Sequence, residues 1–560
     1  MNAGVIGPAA IWVAIVLAVV AVVTGRRRWL SWSAAIALLS AAVLGWALLS
    51  HDFSLEYVAR TTSLATPWPY RLAALWGGMD GSMLVYAALS LSLAAVGLSS
   101  SVAIRVGAGV GLGLLGITVF FANPFVVPDL PAVDGDGLLA ILQHPAMIYH
   151  PPILYLGLTA LVVPFAKTVG LVVGDEQRST WIRSTRRWLY ISWTLLIVGM
   201  AAGGNWAYVE LGWGGFWAWD PVENTSLMPW LAATVFLHTS RLEEARGRMR
   251  RWNVLFAALP FALTVLGVYL TRSGVTGSVH SFAEDPLVGR ILIVAAGVMA
   301  IVVVWLALRS QPGEPWGGWR LDRNWWLAGN AVLLSAALVF VTVGSAFPAV
   351  SSVFFGDSVV VDSRFFVMTV LPIAVLVAVG IALSLRLSVR EYVVVAVVVG
   401  TAVLMVGGAR LGVVLLVPAS ASLLVIGAHG LRRGRRSPVL TATLAHLGFA
   451  MILVGVAGSS FGEDFSGSMM AGDTVEVGGH DITLFELTSG ETERYLYARG
   501  RFEVDGSELT PEIRAYEDQP VPVAEPALRS TVRDDVIVAV SLLFPDRQTM
   551  AVSVFVRPLV

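Results

Sequence analysis

Residues 8–24 read PAAIWVAIVLAVVAVVT, a run without a charged side chain that is followed at once by Gly25 and the arginines at 26–28. Every backbone N–H and C=O of a segment that crosses a bilayer must be satisfied within that segment, and a helix of about 20 apolar residues achieves this. The run therefore predicts a membrane-spanning helix. Its basic cluster follows the apolar stretch instead of preceding it, which is not the order of a cleavable signal peptide.

The composition of the whole chain extends this interpretation. Its 560 residues are 56% hydrophobic and 13% charged, with a mean hydropathy of +0.75, whereas soluble chains carry about 45–50% apolar and about 25% charged residues. The 37 basic and 38 acidic side chains nearly cancel, so no nucleic-acid partner is expected. Because the sequence has no cysteine, disulfides, thiolate metal sites and thiol nucleophiles are excluded.

Similar apolar runs recur along most of the chain. They predict an all-α polytopic membrane protein with about fourteen transmembrane helices. The predicted spans are residues 8–24, 30–50, 81–98, 102–122, 146–166, 188–203, 226–240, 252–270, 287–307, 324–347, 365–385, 391–409, 411–428 and 439–460. Residues 1–460 are therefore predicted to form a multi-span membrane domain.

The distribution of basic residues indicates which ends of the spans face the cytoplasm, because cytoplasmic connections carry an excess of Lys and Arg. The basic residues collect in alternate connections, at Arg26, Arg27, Arg28, Lys167, Arg178, Arg183, Arg186, Arg187, Arg241, Arg246, Arg248, Arg250, Arg251, Arg309, Arg320, Arg323, Arg432, Arg433, Arg435 and Arg436. This pattern predicts a multi-pass protein of the cytoplasmic (inner) membrane. Both termini and the connection around residues 204–230 then face the extracytoplasmic side.

Residues 461–560 differ from the rest of the chain in composition. Acidic residues and glycines separate short runs of alternating polarity at 481–487, 496–504 and 536–543. Alternation with a period of two is typical of half-buried strands. The sequence therefore predicts a small C-terminal β-rich domain outside the membrane.

Two of the eight histidines, His238 and His446, lie within predicted spans. An ionisable side chain in a span indicates function. Counted from Arg241 and Pro438 at about 1.5 Å per residue, both lie in the inner half of the membrane at comparable depth. Neutral imidazole is an axial ligand of haem iron, and two facing helices can hold a porphyrin. The alternative is that each histidine hydrogen-bonds to a neighbouring helix.

Residues 204–230, here called the tryptophan segment, read GNWAYVELGWGGFWAWDPVENTSLMPW. Trp213 and Trp217 are four residues apart, so a helical turn would place them on one face. With Trp206 and Trp219 they would form a broad surface for a flat macrocycle, whose carboxylates the indole N–H groups could reach. The alternative is an interfacial aromatic belt, but a belt scatters tryptophans over many helix ends.

The acidic pair of the tryptophan segment suggests a helix start. Asp220, Pro221 and Glu223 would occupy the N-cap, first and third positions of the next span, the arrangement of a capping box. Both carboxylates would also suit the positive end of the helix dipole. Direct contact of the pair with a ligand or a partner protein is the alternative.

Within this segment, WGGFWAWDPVEN (213–224) resembles the WWD signature of the haem-handling proteins of cytochrome c biogenesis, a family that includes CcmF, CcmC and CcsA. Over nearly the whole chain the flanking motifs resemble those of CcmF, the haem lyase subunit of cytochrome c maturation system I. These motifs are HDFS (51–54), LWGGMDGS (75–82), NPF (123–125), QHPAMIYHPPILYLG (143–157), TRSGVTGSVHSF (271–282) and AHLGF (445–449). Met79 and Asp80 depart from the His and Glu of the family pattern, so a role of that His is not expected here.

The resemblance implies two haem sites. His150 and His280, which flank the signature, would bind the iron of the incoming substrate haem, and His238 and His446 would bind the iron of a resident haem b in the membrane. The residues implied to position the substrate for the reaction lie in the signature, at Trp213, Trp217, Trp219, Asp220 and Glu223.

The resemblance also implies roles in haem binding for Trp206 and Arg272, and some of these assignments have an alternative. Trp206 would belong to the cofactor-binding surface. Arg272, close to His280, would pair with a haem propionate or, alternatively, extend as an interfacial arginine. His144 precedes His150 by six residues and is the closest alternative to it. For His144 and His51, hydrogen bonding in a loop or at a helix end is the favoured role.

The implied reaction attaches haem to an exported apocytochrome c through two thioether bonds to the thiols of its CxxCH motif. Haem would arrive on the chaperone CcmE, and CcmH, with CcmI in some organisms, would present the apocytochrome. The resident haem b would relay an electron to the substrate haem iron, with quinol as the donor.

Three alternative functions remain from the residues alone. A haem transporter or exporter similar to CcsA, without ligation activity, needs the same haem surface. A coupled permease would need intramembrane carboxylates or interrupted helices, and among Asp and Glu the predicted spans contain just Glu391, the first residue of 391–409. A purely structural scaffold would leave the paired membrane histidines unexplained.

Overall fold

The computed structural model of the chain describes residues 2–276, 278, 285–315, 323–384, 420–421, 437–459, 461–492, 495–516, 522–544 and 549–558. Its helices are α1 (Ala3–Thr24), α2 (Arg27–Leu49), α3 (Glu56–Thr61), α4 (Trp68–Gly77), α5 (Met79–Gly97), α6 (Ser101–Phe120), α7 (Ala146–Ala160), α8 (Val162–Val173), α9 (Arg178–Glu210), α10 (Pro221–Arg246), α11 (Arg250–Arg272), α12 (Pro286–Arg309), α13 (Arg323–Phe355), α14 (Ser363–Ser384) and α15 (Ser437–Ser459). Its strands are β1 (Glu463–Met470), β2 (Thr474–Val477), β3 (His480–Glu491), β4 (Tyr495–Val504), β5 (Ser507–Leu509), β6 (Glu512–Tyr516), β7 (Val523–Glu525), β8 (Ala527–Ser530), β9 (Asp534–Phe544) and β10 (Thr549–Pro558).

The helices confirm the predicted fold class. Ten helical stretches within the described ranges are long and apolar enough to cross a membrane. The predicted spans 188–203 and 226–240 lie in α9 and α10, which are 33 and 26 residues long but less apolar. The predicted spans 391–409 and 411–428 lie outside the described residues, apart from 420–421.

Helices α1 and α2 pack through small side chains and hydroxyl groups. The Ser33 hydroxyl donates a hydrogen bond to the Ala14 carbonyl at 2.8 Å, and the Ser40 hydroxyl donates to the Gly7 carbonyl at 3.0 Å. In a bilayer, such contacts hold helices together because lipid tails are as apolar as the side chains. Ser33 and Ser40, the buried serines of α2, are thereby satisfied without water.

Charged side chains pair at the helix ends that the basic residues predict to be cytoplasmic. Arg178 of α9 donates two hydrogen bonds to Glu243 of α10, at 2.5 and 2.9 Å. Asn253 of α11 donates to the same carboxylate at 2.7 Å. The Glu243 side chain is only 6% exposed, so these partners compensate a charge that would otherwise be costly to bury. They also connect α9, α10 and α11 at this end.

Residues 463–558 form a β-sandwich, as the alternating runs predict. One antiparallel sheet has the order β1–β10–β9–β8, and the other has the order β2–β3–β4–β6–β7 with β5 paired to β4. The core between the sheets consists of alternate residues, among them Ile482, Leu484, Phe502, Val504, Val536, Val538, Val540, Met550, Val552, Val554 and Val556. The predicted strands at 481–487, 496–504 and 536–543 lie in β3, β4 and β9.

The chain forms two compact units. The first comprises residues 1–203, 218–319 and 334–370, and the second comprises 204–217, 320–333 and 371–560. The tryptophan segment is divided between them: residues 204–217 belong to the unit of the β-sandwich, and residues 218–230 belong to the other.

His480, at the start of β3, is held between two aspartates of the sandwich. Its Nδ1 lies 2.5 Å from Asp505 and its Nε2 lies 3.1 Å from Asp534, and Arg529 pairs with Asp505 at 3.2 Å. Burial alone would lower the pKa of His480, but the hydrogen bonds and charges of the two aspartates outweigh burial and raise it. The imidazolium therefore joins β3 to β9 and to the turn after β4.

The raised pKa of His480 predicts that the sandwich is less stable at higher pH. This contribution is fully present below the unfolded pKa of about 6.5 and is lost as the pH rises through the higher folded pKa. We expect the amides of β3 and β9 in the full-length protein to exchange faster at about pH 8.5 than at about pH 6, after correction for intrinsic rates. His480→Gln should remove the difference. Equal corrected rates in the unsubstituted protein would contradict this prediction.

Candidate functional site

The acidic pair of the tryptophan segment forms the start of α10. Asp220 is the N-cap residue and accepts a hydrogen bond from the Val222 N–H at 2.8 Å. Glu223 accepts hydrogen bonds from the backbone N–H groups of Asp220, at 3.2 Å, and Ala218, at 3.0 Å, and Pro221 occupies the first turn. The predicted capping box is therefore confirmed, with both carboxylates at the positive end of the helix dipole.

The cap of α10 also holds the chain that follows α11. The Ser278 hydroxyl donates to Asp220 Oδ1 at 2.6 Å. Ser278 belongs to the stretch 271–282 that carries the predicted ligand His280, and His280 itself lies outside the described residues. Asp220 thus connects the tryptophan segment to the His280 stretch.

Two substitutions of Asp220 separate capping from direct contact with a ligand. Asp220→Ala removes the acceptor of Val222 and Ser278, and we expect the first turn of α10 to lose about 1 kcal/mol, seen as faster amide exchange at residues 222–224. Asp220→Asn keeps a good N-cap acceptor without the charge, so near-normal exchange and haem attachment are expected. If haem attachment failed equally in both variants, the carboxylate charge would act on a ligand instead.

Trp219 adopts a backbone conformation that is rare for a residue with a side chain. Its φ is +61°, in the left-handed region. Its carbonyl accepts a hydrogen bond from the buried Asn224 amide at 3.1 Å. Its ring stacks on Phe366, with centroids 5.3 Å apart and planes within 3°. Such strain persists only where the surroundings enforce it, and it concentrates at functional sites.

The predicted helical turn through Trp213 and Trp217 is wrong. Residues 211–220 contain no helix, because Gly212 and Gly214 have φ values of +65° and +68°, which a right-handed helix does not contain. The Trp213 indole N–H donates to the Gly215 carbonyl at 2.8 Å. This N–H therefore stabilises the loop itself, and the expected reach of the Trp213 indole toward a ligand carboxylate is not supported.

The aromatic residues of the segment differ in exposure. Trp206, near the end of α9, is only 2% exposed, so it does not offer an aromatic face at the surface. Trp213 and Trp217 are half-buried. Phe216 is 55% exposed, and its other face stacks on Tyr208, with centroids 4.0 Å apart and planes within 3°.

His150 is fixed by a hydrogen bond between α7 and α9. Its Nδ1 lies 2.8 Å from the Gly199 carbonyl, and because a carbonyl only accepts, Nδ1 carries the proton and Nε2 carries the lone pair. Pro151 follows inside α7 and cannot donate to the Met147 carbonyl. The Trp76 indole donates to that carbonyl at 2.8 Å instead, so the LWGG and HPP motifs meet beside His150.

His238 shows the same arrangement within α10. Its Nδ1 lies 2.7 Å from the Thr234 carbonyl, which again assigns the lone pair to Nε2. His446 lies in α15, is half-buried and belongs to the second unit. The pairing of His238 with His446 stays a prediction.

The remaining described histidines have other partners. His144 Nδ1 accepts the Ala146 N–H at 3.1 Å, which assigns the proton of neutral His144 to Nε2, and burial lowers the pKa of His144. His51 Nε2 lies 3.0 Å from the Arg71 guanidinium, which only donates. Hydrogen bonding at helix ends, the favoured role of both residues, is what the structure shows.

Arg272, the last residue of α11, is held by two hydroxyl groups. Its guanidinium donates to Ser82 Oγ of α5 at 2.9 Å and to the Tyr155 hydroxyl of α7 at 3.4 Å. These two contacts orient the guanidinium. Arg272 therefore connects three motifs: LWGGMDGS, the HPP stretch and the stretch that carries His280.

Two protein families match the chain at the regions just described. Residues 76–277 match the family described as Cytochrome C assembly protein, and residues 461–558 match the CcmF C-terminal beta-sandwich. A polytopic helical membrane protein with this segment and this sandwich is a cytochrome c assembly protein.

Individual relatives define the family more closely. The cytochrome c-type biogenesis protein CcmF of Pseudomonas aeruginosa is 31% identical over 96% of this chain and 89% of its own. The protein of the same name from Haemophilus influenzae is 32% identical over 93% of this chain and 87% of its own. The chain therefore belongs to the CcmF family, which confirms the resemblance. A solved structure named Cytochrome c Heme Lyase CcmF has the same fold, with a TM-score of 0.79 at 24% identity over 100% of this chain and 93% of that one.

Proposed function

We propose that this protein is the haem lyase subunit of a cytochrome c maturation system. It binds haem at the tryptophan segment and promotes thioether attachment of that haem to the CxxCH motif of apocytochrome c. The observation that carries the proposal is the hydrogen bonding of His150 and His238, whose Nδ1 atoms each lie within 2.8 Å of a backbone carbonyl.

This hydrogen bonding is typical of metal-ligating histidines. Such residues almost always donate the other ring N–H to a carbonyl or a carboxylate, which fixes the tautomer and makes the ligand nitrogen more basic. His150 and His238 meet this requirement, whereas His144 is bonded at Nδ1 in the opposite sense. The donor set therefore fits haem iron at His150 and His238, with His280 and His446 as the proposed second ligands.

Residues of the tryptophan segment and Arg272 would orient the substrate haem. Trp213, Trp217 and Trp219 offer aromatic faces, and the Arg272 guanidinium can pair with a propionate while Ser82 and Tyr155 hold it. Asp220 and Glu223 contribute by capping α10. Trp206 supports the segment from its buried position.

The reaction needs orientation more than acid–base catalysis. Each thiol S–H adds across one haem vinyl group, so one C–S and one C–H bond form, nothing leaves, and there is no net oxidation. Holding both reactants in the reactive geometry can supply most of the acceleration of such a step. Because the chain has no cysteine, it cannot form mixed disulfides with the dithiol substrate.

His238 and His446 would hold a resident haem b, which when bound supplies the electron that keeps the substrate iron ferrous, with quinol as the proposed donor. His238 lies in the half of α10 nearer to the Arg178–Glu243 pair. Its Nδ1 donates to the Thr234 carbonyl, which assigns the lone pair of the neutral ring to Nε2. The protein side of this site is thus an imidazole with a fixed ring orientation, whose Nε2 would be the ligand atom.

The proposed setting is the inner membrane, with the tryptophan segment and the β-sandwich on the extracytoplasmic side, because basic residues collect in alternate connections. The proposed partners are the haem chaperone CcmE, CcmH with CcmI in some organisms, and apocytochrome c. All three would act on the side where the tryptophan segment lies.

Reconstitution tests the proposed reaction directly. Purified full-length protein is mixed with haem-loaded CcmE and reduced apocytochrome c, and covalent haem is measured on the cytochrome after a denaturing gel. We expect covalent haem only when the protein is present. Haem that reaches the apocytochrome but is lost on the gel would instead indicate a haem delivery protein without ligation activity.

A further inference from the structure

Residues 204–217 of the tryptophan segment pack against the β-sandwich through a buried hydrogen bond. The Tyr208 hydroxyl donates to Asp535 Oδ2 at 2.8 Å, and each residue is 5% exposed. Burial and the hydrogen bond and charge of Asp535 raise the pKa of Tyr208, so the phenol stays protonated and can donate. Loss of this donor would leave a buried carboxylate poorly compensated, which is costly.

A second contact fixes the loop that carries Trp213. Arg557 of β10 donates from Nε to the Gly214 carbonyl at 2.7 Å and also pairs with Asp464 of β1. Its guanidinium lies 5.2 Å from the centroid of the Phe555 ring. A Cβ atom at Gly214 would lie 2.3 Å from Phe555. The loop and β10 therefore fit against each other without room for a side chain at Gly214.

A third region extends these contacts, which together we call the sandwich seam. A Cβ atom at Gly212 would lie 3.1 Å from Pro526, in the connection between β7 and β8. Glu210, at the end of α9, lies near Glu525 of β7 and Arg514 of β6. Burial and the charge of Glu525 raise the pKa of Glu210 to about 7, against the opposing charge of Arg514.

We propose that the β-sandwich is the positioning scaffold of the tryptophan segment, with Tyr208 and Arg557 as positioning residues for haem attachment. The inference rests on the proposed function, because that function assigns the porphyrin to this segment. Phe216 stacks on Tyr208 and is exposed on its other face, and Trp213 adjoins the Gly214 that Arg557 holds. Movement at the sandwich seam would therefore move the rings of Trp213 and Phe216. In a reaction that depends on orientation, a small displacement of such groups lowers the rate strongly.

Two substitutions in the full-length protein test this proposal, Tyr208→Phe and Arg557→Met. We expect amide exchange at residues 209–217 to become about tenfold faster in each, as loss of a hydrogen bond to a charged or buried partner predicts. The apparent KM for haem-loaded CcmE should rise about tenfold by the same argument. Tyr190→Phe is the matched control, because Tyr190 lies in the part of α9 that belongs to the other compact unit, and it should change neither quantity.

The amides of Val538 and Val554 report whether the sandwich itself stays folded. Unchanged exchange at 209–217 and unchanged KM in both variants would overturn the proposal. If the unsubstituted protein attaches no haem, the proposed function fails, and amide exchange alone still decides whether the sandwich holds the segment.

A third substitution, which is expected to slow amide exchange instead of accelerating it, keeps the proposal testable if Tyr208→Phe unfolds the sandwich. Above about pH 7 the Glu210 carboxylate is charged and repels Glu525. Glu210→Gln removes this repulsion, so exchange at residues 211–217 should become slower than in the unsubstituted protein at about pH 8 and stay similar at about pH 6. No slowing at the higher pH would contradict a seam that sets the position of the segment.

Discussion

Replacement of His238 with alanine is expected to leave the purified full-length protein without the absorption bands of a bis-histidine haem b. The reason is that Nδ1 of His238 lies 2.7 Å from the Thr234 carbonyl, which assigns the lone pair to Nε2 and fixes the ring within α10. Loss of such an outer hydrogen bond alone typically costs metal sites about 10–100-fold in affinity. Loss of the ligand itself should reduce haem affinity by a larger factor.

The measurement is the haem content per protein and the reduced-minus-oxidised spectrum. His446→Ala should have the same effect if the two residues hold one haem. His51→Ala is the matched control, because Arg71 contacts the His51 ring at 3.0 Å, and it should leave the spectrum unchanged. An unaltered haem content and spectrum in His238→Ala would contradict the assignment of a resident haem to this residue.

Local sequence patterns predicted the structure well where the determining contacts are also local. The capping box needs only the spacing of Asp220, Pro221 and Glu223, and the structure shows it at the start of α10. Apolar runs predicted the helices because a membrane span must satisfy its own backbone. Alternation predicted β3, β4 and β9, since each strand presents one face to a shared core.

The tryptophan segment shows where residue spacing alone fails. Trp213 and Trp217 have the spacing of one helical face, yet Gly212 and Gly214 adopt left-handed conformations. Glycine permits either hand of backbone, so its sequence position does not say which one tertiary packing selects. Here the close fit of Gly214 to Phe555 requires a glycine for steric reasons that no local pattern contains.

Contacts between distant parts of the chain were missed for a related reason. Tyr208 and Asp535 are separated by 327 residues, and neither belongs to a motif that names its partner. A weak signal existed, because a phenol near an apolar helix end usually finds a hydrogen-bond partner when buried. That signal predicts that a partner exists but not which residue it is.

Sequence reasoning also identified candidate histidines without distinguishing them fully. Depth in the membrane singled out His238, but His144 and His150 lie six residues apart in one stretch. Their difference is the direction of one hydrogen bond at Nδ1, which depends on α9 and on the turn before α7. The tautomer of each histidine follows from tertiary structure, and the tautomer determines which nitrogen can bind iron.

His150→Ala is accordingly expected to reduce covalent haem attachment by about 100-fold, the scale on which loss of orientation slows reactions that depend on positioning. The Gly199 carbonyl, 2.8 Å from Nδ1, holds the imidazole so that Nε2 can bind the iron of the substrate haem. The absorption spectrum of the resident haem should persist, because His238 is on a different helix. Covalent haem on the cytochrome, measured after a denaturing gel, gives the first quantity, and the spectrum of the purified variant gives the second.

His144→Ala is the decisive comparison for this prediction. His144 shares the HPP stretch, but its Nδ1 accepts the Ala146 N–H at 3.1 Å, so its neutral form carries the proton at Nε2 and cannot bind iron there. We expect attachment in His144→Ala to stay within about threefold of normal, since only a hydrogen bond near the start of α7 is lost. The opposite ranking, with His144→Ala inactive and His150→Ala active, would mean that the iron ligand is His144. The carbonyl bond of His150 would then be a purely structural link between α7 and α9.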